Sequence, residues 1–176
     1  SLCIQVIFVS FLFFSGDLGD VTLAANQVLI QFVYMTAYGL DGFAHAIETL
    51  AGQAIGGRAR ARMRRAVWLG AIWAALTAAL TALAFLLFGP KIIALMTTSE
   101  AVRAAAGGFL IYVVATPLAS VGTFLIDGVY VAATRARDMR NTMALSAVLY
   151  LICAVVFLEH WGNHGLWIAL LVSFVA

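Results

Sequence analysis

Seven polar or ionisable side chains recur along one stretch of this sequence at spacings of three and four residues. They are Gln27, Gln31, Tyr34, Tyr38, Asp41, His45 and Glu48. Such spacings place all seven on one face of a single helix, with mostly apolar residues on the other faces. Two carboxylates and an imidazole cannot face lipid without a large cost. We therefore expect this face to line a water-filled cavity or to contact other helices.

A carboxylate at membrane depth can exchange protons or bind a cation. Asp41 and Glu48 are therefore predicted to be cation- or proton-coupling residues. The remaining members predicted to line a substrate cavity are Gln31, Tyr34, Tyr38 and His45. The alternative interpretation is that the acids only pair with polar groups on neighbouring helices. A metal site at His45 is less favoured, because two acids and one histidine on one helix cannot enclose an ion. We expect no metal and no cofactor other than proton or sodium as the coupling ion.

A third acid, Asp127, is the only charge in the range 104–134, which also contains Pro117. A proline inside a helix removes a backbone hydrogen bond and kinks the helix. We predict that Asp127 is a coupling residue and that Pro117 is a conformational hinge whose bending follows the protonation of Asp127. The hydroxyls of Thr116 and Ser120 are expected to satisfy part of the carbonyl that the proline leaves free.

The composition requires the elements that position these residues to be membrane-spanning helices. Of the 176 residues, 64% are hydrophobic and 10% are charged, whereas soluble domains contain about 45–50% and about 25%. The uncharged runs Val67–Phe88 and Ala104–Ile126 are long enough to cross a hydrocarbon core about 30 Å thick as helices. Membrane barrel strands would alternate with a period of two, and these runs do not. The predicted fold is an all-α membrane protein.

Six spans are expected, at approximately 1–15, 21–57, 66–88, 100–134, 140–158 and 165–176. Gly89-Pro90 is predicted to end the third helix, while Ser99 and Asn163 are predicted to cap the fourth and the last. Small residues four apart predict close helix contacts. They are Ala71, Ala75 and Ala79 on one helix and Gly52 and Gly56 on another.

The range 21–57 could be one long helix or two spans broken at Asp41-Gly42. As one helix, it leaves eight of the ten lysines and arginines on one side of the membrane and two on the other. Positive charge concentrates in cytoplasmic loops, so this distribution favours one helix. The arginine-rich loops 58–65 and 135–140 are then cytoplasmic in a multi-pass protein of the cell (inner or plasma) membrane. Because the chain starts without methionine in an apolar run, we expect it to be a fragment of a longer protein.

Four strings in this sequence resemble the multidrug and toxic compound extrusion (MATE) family, most closely its DNA-damage-inducible protein F branch. They are GDVTLAANQVLIQF, which ends at Phe32, YGLDGFAHAIETLAGQAIGGRAR at 38–60, FLIDGVYVAATRARDMRN at 124–141 and WGNHGLW at 161–167. The resemblance implies a twelve-helix bacterial inner-membrane antiporter with two lobes of six helices. This chain would be the six-helix bundle of the C-terminal lobe, helices 7–12. Its partner would be the missing N-terminal six-helix lobe of the same chain.

The resemblance also implies roles for individual residues. Asp127 matches a membrane-embedded aspartate of the tenth helix that is linked to cation coupling in some branches. Asp41 matches an acid that faces the second-lobe cavity, and Glu48 falls in the adjoining motif. Leu2–Ser15 has no acid where other branches carry a seventh-helix glutamate, which favours proton over sodium coupling.

The predicted function is secondary active transport, a cation-coupled antiport that exports organic cations, drugs or toxic metabolites. Besides these small organic cations, the expected partner is the lipid bilayer, and neither enzymatic activity nor nucleic-acid binding is expected. One alternative is a flippase for a lipid-linked precursor, built on the same superfamily fold. The other is an intramembrane metalloenzyme, which would need ligands from several helices.

Overall fold

The computed structural model describes residues 2–175, which form six α-helices joined by short turns. The helices are α1 (Leu2–Gly16), α2 (Asp20–Gly56), α3 (Arg60–Met96), α4 (Glu100–Ala132), α5 (Ala136–Trp161) and α6 (Asn163–Val175). The prediction of an all-α, six-helix fold is confirmed. By length and apolar composition α3, α4 and α5 can each cross a membrane, and α1 and α6 are shorter apolar helices.

The long polar segment forms one helix, as the distribution of positive charge predicted. Helix α2 runs without interruption for 37 residues, and Asp41 and Gly42 lie inside it. At a rise of 1.5 Å per residue it is about 56 Å long, well beyond the thickness of a hydrocarbon core. All seven residues of the predicted polar face are therefore held on one rigid element.

The prediction that Gly89-Pro90 ends the third helix is wrong, because α3 continues to Met96 with Pro90 inside it. Packing of α3 against α4 and a cap at the end of α3 compensate for the loss of the backbone hydrogen bond that the proline removes. Gly89 lies so close to α4 that a Cβ atom there would be 2.7 Å from the side chain of Leu110. Arg103 donates to the backbone carbonyls of Thr97 at 2.7 Å and Ala94 at 2.9 Å, which caps the end of α3.

The two arginine-rich loops are shorter than predicted. The ranges 58–65 and 135–140 become turns at 57–59 and 133–135, and their remaining arginines lie in the first turns of α3 and α5. Arginine is a good helix former, so these residues extend the helices instead of forming loops. The helices alternate in direction because the turns are short, and both arginine-rich turns therefore lie at the same end of the bundle.

Helices α2 and α4 run parallel and pack extensively against each other, and α3 packs against both. Helix α6 lies between α4 and α5, and α1 contacts α2, α5 and α6. Aromatic pairs join these groups: Phe32 of α2 meets Phe85 of α3 with ring centres 5.0 Å apart, and Phe11 of α1 meets Trp167 of α6 at 4.9 Å. The core therefore runs along the centre of the bundle from α1 to α3.

The small residues that make close contacts differ from those predicted. On α3 the buried alanines are Ala74, Ala78 and Ala82, whereas Ala75 and Ala79 are exposed. Gly52 and Gly56 have open space where a Cβ would stand. Repeats of alanine along α3 fit several faces equally well, so the pattern alone could not select the one that packs. The predicted cap at Ser99 is confirmed, since its hydroxyl accepts from the N–H of Val102 at 3.4 Å.

Candidate functional site

The predicted polar face of α2 forms an open side of the bundle. Five of its residues are exposed and Tyr34 and Glu48 are half-buried; the exposed ones are Gln27, Gln31, Tyr38, Asp41 and His45. Tyr38 is 75% exposed, a large value for an aromatic side chain midway along a helix of 37 residues. The opposite faces of α2 bury Leu29, Phe32, Val33, Leu40 and Ile47 in the core. Within residues 2–175, no helix covers the polar face.

Two contacts organise the side chains of this face. His45 and Glu48 lie one turn apart, with 3.4 Å between the imidazole Nδ1 and the carboxylate Oε2. Tyr34 packs against Phe8 of α1, with ring centres 5.1 Å apart. Tyr34 therefore stands at the edge of the face, whereas His45 and Glu48 project from its far end towards the arginine-rich turns.

Asp127 lines a partly open cavity of about 550 Å³ between α1, α4, α5 and α6. The walls are mainly apolar. The polar groups that share the cavity with Asp127 are Thr123 and Tyr130 of α4, Thr142 and Ser146 of α5, and Ser173 of α6. The hydroxyls of Thr123, Thr142 and Ser173 donate to backbone carbonyls, so their lone pairs can still accept from a hydrated ion. A carboxylate in such a cavity can bind a small cation or exchange a proton.

The structure places the helices of two predicted acids, Asp41 of α2 and Asp127 of α4, in contact with each other. Their helices meet one turn away, where Gly128 of α4 contacts the backbone of Ala44 of α2. None of the predicted substrate-cavity residues of α2 lines the cavity of Asp127. The contact between α2 and α4 therefore joins the helix with the open polar face to the helix that carries Asp127.

Pro117 is buried within α4, and its neighbours Leu118 and Ala119 line the cavity of Asp127. The expected role of the nearby hydroxyls is wrong. Thr116 donates to the carbonyl of Tyr112 at 3.0 Å, and Ser120 donates to the carbonyl of Thr116 at 2.8 Å. Both hydroxyls bind the carbonyl four residues back, whereas the carbonyl that the proline leaves free belongs to Val113.

Sequence reasoning missed a buried hydrogen-bond network that joins α1, α2 and α6. The amide Nδ2 of Asn26 donates to Ser15 Oγ at 2.7 Å and to Asn163 Oδ1 at 2.6 Å. The Oδ1 atom of Asn26 accepts from Asn163 Nδ2 at 3.1 Å and from Trp167 Nε1 at 3.0 Å. Asn163 is therefore a member of this network, and the prediction that it caps α6 is wrong. The carbonyl of Gly162 accepts from the first free N–H groups of α6 instead.

Aromatic packing extends this network to α4. The ring of Tyr112 stacks on Trp167 with an angle of 12° between the planes, and its hydroxyl lies 2.9 Å from His164 Nδ1. The His164 ring also packs against Phe109, with ring centres 4.8 Å apart. Four helices are thus joined at the end of the bundle opposite the arginine-rich turns.

Some of the missed residues carry a signal in the sequence. Thr142 and Ser146 are four residues apart, which places them on one face of α5, and Tyr130 follows Asp127 by three residues on α4. Asn26 immediately precedes Gln27, the first residue of the polar face, but its side chain is buried. The spacing of three and four residues that defines the polar face therefore does not include Asn26. A polar residue off the polar face of a membrane helix is the signal that could have found this network.

The MatE family model matches residues 1–157 of the chain. The chain belongs to this family. It is 38% identical over 173 residues to "DNA damage-inducible protein F" of Escherichia coli (strain K12), which covers 98% of this chain and 37% of that protein. It is 29% identical over 169 residues to "Probable multidrug resistance protein NorM" of Xanthomonas axonopodis pv. citri (strain 306), covering 90% of this chain and 35% of that protein. The chain thus spans about a third of the length of the curated relatives it matches.

The family assignment confirms the resemblance on which the sequence interpretation drew. Together with the apolar helices, it identifies a membrane-embedded protein of a transporter family. Within the part of the chain that the structure describes, no three histidine, cysteine, aspartate or glutamate side chains converge as a metal site would require.

Proposed function

We propose that this chain is the second six-helix lobe of a secondary transporter that exports organic cations, drugs or toxic metabolites in exchange for a cation, with the proton favoured over sodium. The observation that carries the proposal is the open polar face of α2. A helix side with two acids, two tyrosines and a histidine is costly in lipid. A second lobe opposite it would enclose these residues in a central cavity, the arrangement of transporters built from two related bundles.

The relatives support the same reading. One bears the name of a DNA damage-inducible protein and another that of a probable multidrug resistance protein. Both are much longer than this chain, which leaves room for a second lobe. In such a transporter the acids would attract organic cations, and the exposed ring of Tyr38 would offer a flat surface on which a cation can stack.

The pair of neighbouring acids supports a coupling mechanism. Asp127 precedes Gly128 at the contact with Ala44 of α2, about one turn from Asp41. Two ionised carboxylates held near this contact would repel each other, so binding of a proton or a cation at either one would relieve the repulsion. Asp127 shares its cavity wall with the helix segment that follows Pro117. Neutralisation of the Asp127 carboxylate would then favour a different bend of α4 at Pro117. Rocking of the two lobes would expose the central cavity between them alternately to each side of the membrane.

The alternatives receive less support from the structure. A flippase for a lipid-linked pyrophosphate would need cationic side chains on the cavity face, whereas the residues of the α2 face that carry full charges are acids. An intramembrane metalloenzyme would need converging ligands, and His45 meets only Glu48 among the described residues. A transporter whose cavity is acidic fits organic cations better than anionic lipids.

The test is efflux of ethidium, a flat organic cation, from proteoliposomes that contain the complete protein, with a proton gradient or a sodium gradient applied separately. We expect efflux under the proton gradient and its loss in Asp41→Asn and Asp127→Asn. Asp17→Asn is the matched control, because this aspartate is exposed in the turn between α1 and α2. Equal, gradient-independent ethidium flux in all four proteins would overturn the proposal. Efflux driven by the sodium gradient alone would show that sodium, and not the proton, is the coupling ion.

A further inference from the structure

An open groove of about 730 Å³ lies where α3 begins, between its first turns and the end of α4. Arg64, Arg65 and Trp68 form its polar and aromatic rim on α3. Its apolar wall includes Val67 and Ala71 of α3 and Val129 of α4. The groove lies on the side of α4 that faces α3, and it shares no residue with the cavity of Asp127.

The position of the groove along α3 corresponds to the surface of the bilayer. Charge on α3 ends at Arg65, and Lys91 is the next charged residue. The run between them, Val67–Phe88, rises about 33 Å as a helix, close to the thickness of a hydrocarbon core of about 30 Å. Arg64 and Arg65 therefore lie at headgroup level, and Trp68 lies about one turn deeper, in the interfacial layer that tryptophan prefers.

The groove presents unneutralised positive charge beside an apolar wall. The ion pairs within residues 2–175 are His45–Glu48 and Arg135–Asp138, so the guanidinium groups of Arg64 and Arg65 are not neutralised by an acid of the described fold. Trp68 follows these arginines by four and three residues, which places the indole on the same helix face. It is 66% exposed.

We propose that this groove binds one anionic phospholipid from the adjacent leaflet. Arg64 and Arg65 hold the phosphate, because a guanidinium fork matches phosphate oxygens in both geometry and charge. One acyl chain runs inward past Trp68 along the apolar wall. A free phosphate would leave this wall bare, whereas a phospholipid covers the arginines and the wall at once, at the depth where bilayer lipids carry those two groups.

The site is independent of the exported compound and of the coupling ion. It requires only that α3 crosses the membrane at the depth given above. A lipid bound between α3 and α4 would bridge the start of α3 at residue 60 and the end of α4 at residue 132. It would therefore hold this end of α4, which lies beside the arginine-rich turns, in place while the lobe moves.

The test is native mass spectrometry of the complete protein in detergent, titrated with dioleoylphosphatidylglycerol or dioleoylphosphatidylcholine. We expect a one-lipid adduct at lower concentration with phosphatidylglycerol, and a loss of this affinity of about tenfold in the double variant Arg64→Gln/Arg65→Gln. The matched control is Arg60→Gln/Arg62→Gln, which removes two positive charges from the same helix start outside the groove. This control should lose less than about twofold.

Equal losses in the two double variants would overturn the proposal, since they would show a diffuse attraction between the protein and anionic lipid. No preference for phosphatidylglycerol over phosphatidylcholine would overturn it as well. If the glutamine variant does not fold, Arg64→Lys/Arg65→Lys takes its place, because it keeps both positive charges. This variant should retain the preference for phosphatidylglycerol with weaker binding, because lysine lacks the bidentate fork.

A second measurement locates the lipid. Brominated phosphatidylglycerol should quench tryptophan fluorescence more than brominated phosphatidylcholine, and Trp68→Phe should abolish this difference although the three other tryptophans of residues 1–176 remain. Inorganic phosphate at the same concentration should not displace the lipid. Displacement by inorganic phosphate would show that the arginines bind free anions and that the groove is not a lipid site.

Discussion

The α carbon of Gly128 lies against the backbone of Ala44, so that a Cβ atom on the glycine would stand 2.5 Å from the alanine carbonyl oxygen. At this point α4 and α2 are in direct backbone contact. Asp127 immediately precedes the glycine, and Asp41 lies about one turn before the alanine on the other helix. The close approach therefore joins α4 and α2 beside the segments that carry the two acids.

Replacing Gly128 should weaken the packing of α2 against α4. In Gly128→Ala the new methyl group overlaps a carbonyl that cannot rotate away, so the helices must separate, at a cost of about 1–3 kcal/mol. Thermal unfolding of the purified protein should show a lower midpoint. The control is Gly107→Ala on the same helix, where a Cβ meets open space and helix propensity predicts a slight gain in stability. Equal midpoints in the two variants would contradict the close contact.

Removal of the amide at the centre of the buried network should destabilise the bundle. Asn26→Ala leaves the buried donors of Asn163 and Trp167 without the acceptor they share, at a cost of about 1–3 kcal/mol. Gln27→Ala is the control, because this neighbouring amide is exposed and its loss should leave the unfolding midpoint within error of the parent. If both variants unfold at the parent midpoint, the network does not hold α1, α2 and α6 together.

The two prolines inside helices allow a matched test of the hinge. Pro117→Ala restores an N–H that can bind the carbonyl of Val113, so α4 should become more stable and straighter. If bending at Pro117 accompanies transport, ethidium efflux should fall although the unfolding midpoint rises. Pro90→Ala makes the same change inside α3, at an exposed position away from the acids. It should leave efflux unchanged, and an equal fall in both variants would argue against a specific hinge.

The orientation of the bundle can be read by chemical labelling. In a protein whose native cysteines, Cys3 and Cys153 among them, are replaced by alanine, single cysteines at Arg58 and at His160 report on opposite ends of the bundle. Because eight of the ten lysines and arginines lie at the Arg58 end, we expect a membrane-impermeant maleimide to reach His160→Cys in intact cells and Arg58→Cys only after lysis. The reverse pattern would place the arginine-rich turns outside the cytoplasm.

Several features were predictable because they depend on properties local to one helix. The polar face of α2 follows from a spacing of three and four residues, and its continuity through Asp41 follows from the distribution of positive charge. The cap at Ser99 follows from the residue type that precedes a helix. The errors on Pro90, on the packed alanines of α3 and on Asn163 occur where a contact with another helix decides the outcome. Pro90 stays helical because α4 and Arg103 hold the end of α3.

By itself, the sequence determined that this is an all-α membrane protein, how many helices it has and which side of α2 is polar. These properties depend on hydrophobicity and on the helical period, which every residue carries with it. Only the tertiary structure decided which alanines of α3 are buried, that Asn26 meets Asn163 and that Gly128 meets Ala44. Those contacts depend on how far each helix is rotated about its axis and where it crosses its neighbours. Small residues such as Gly128 determine that geometry, and their neighbours in the chain do not reveal it.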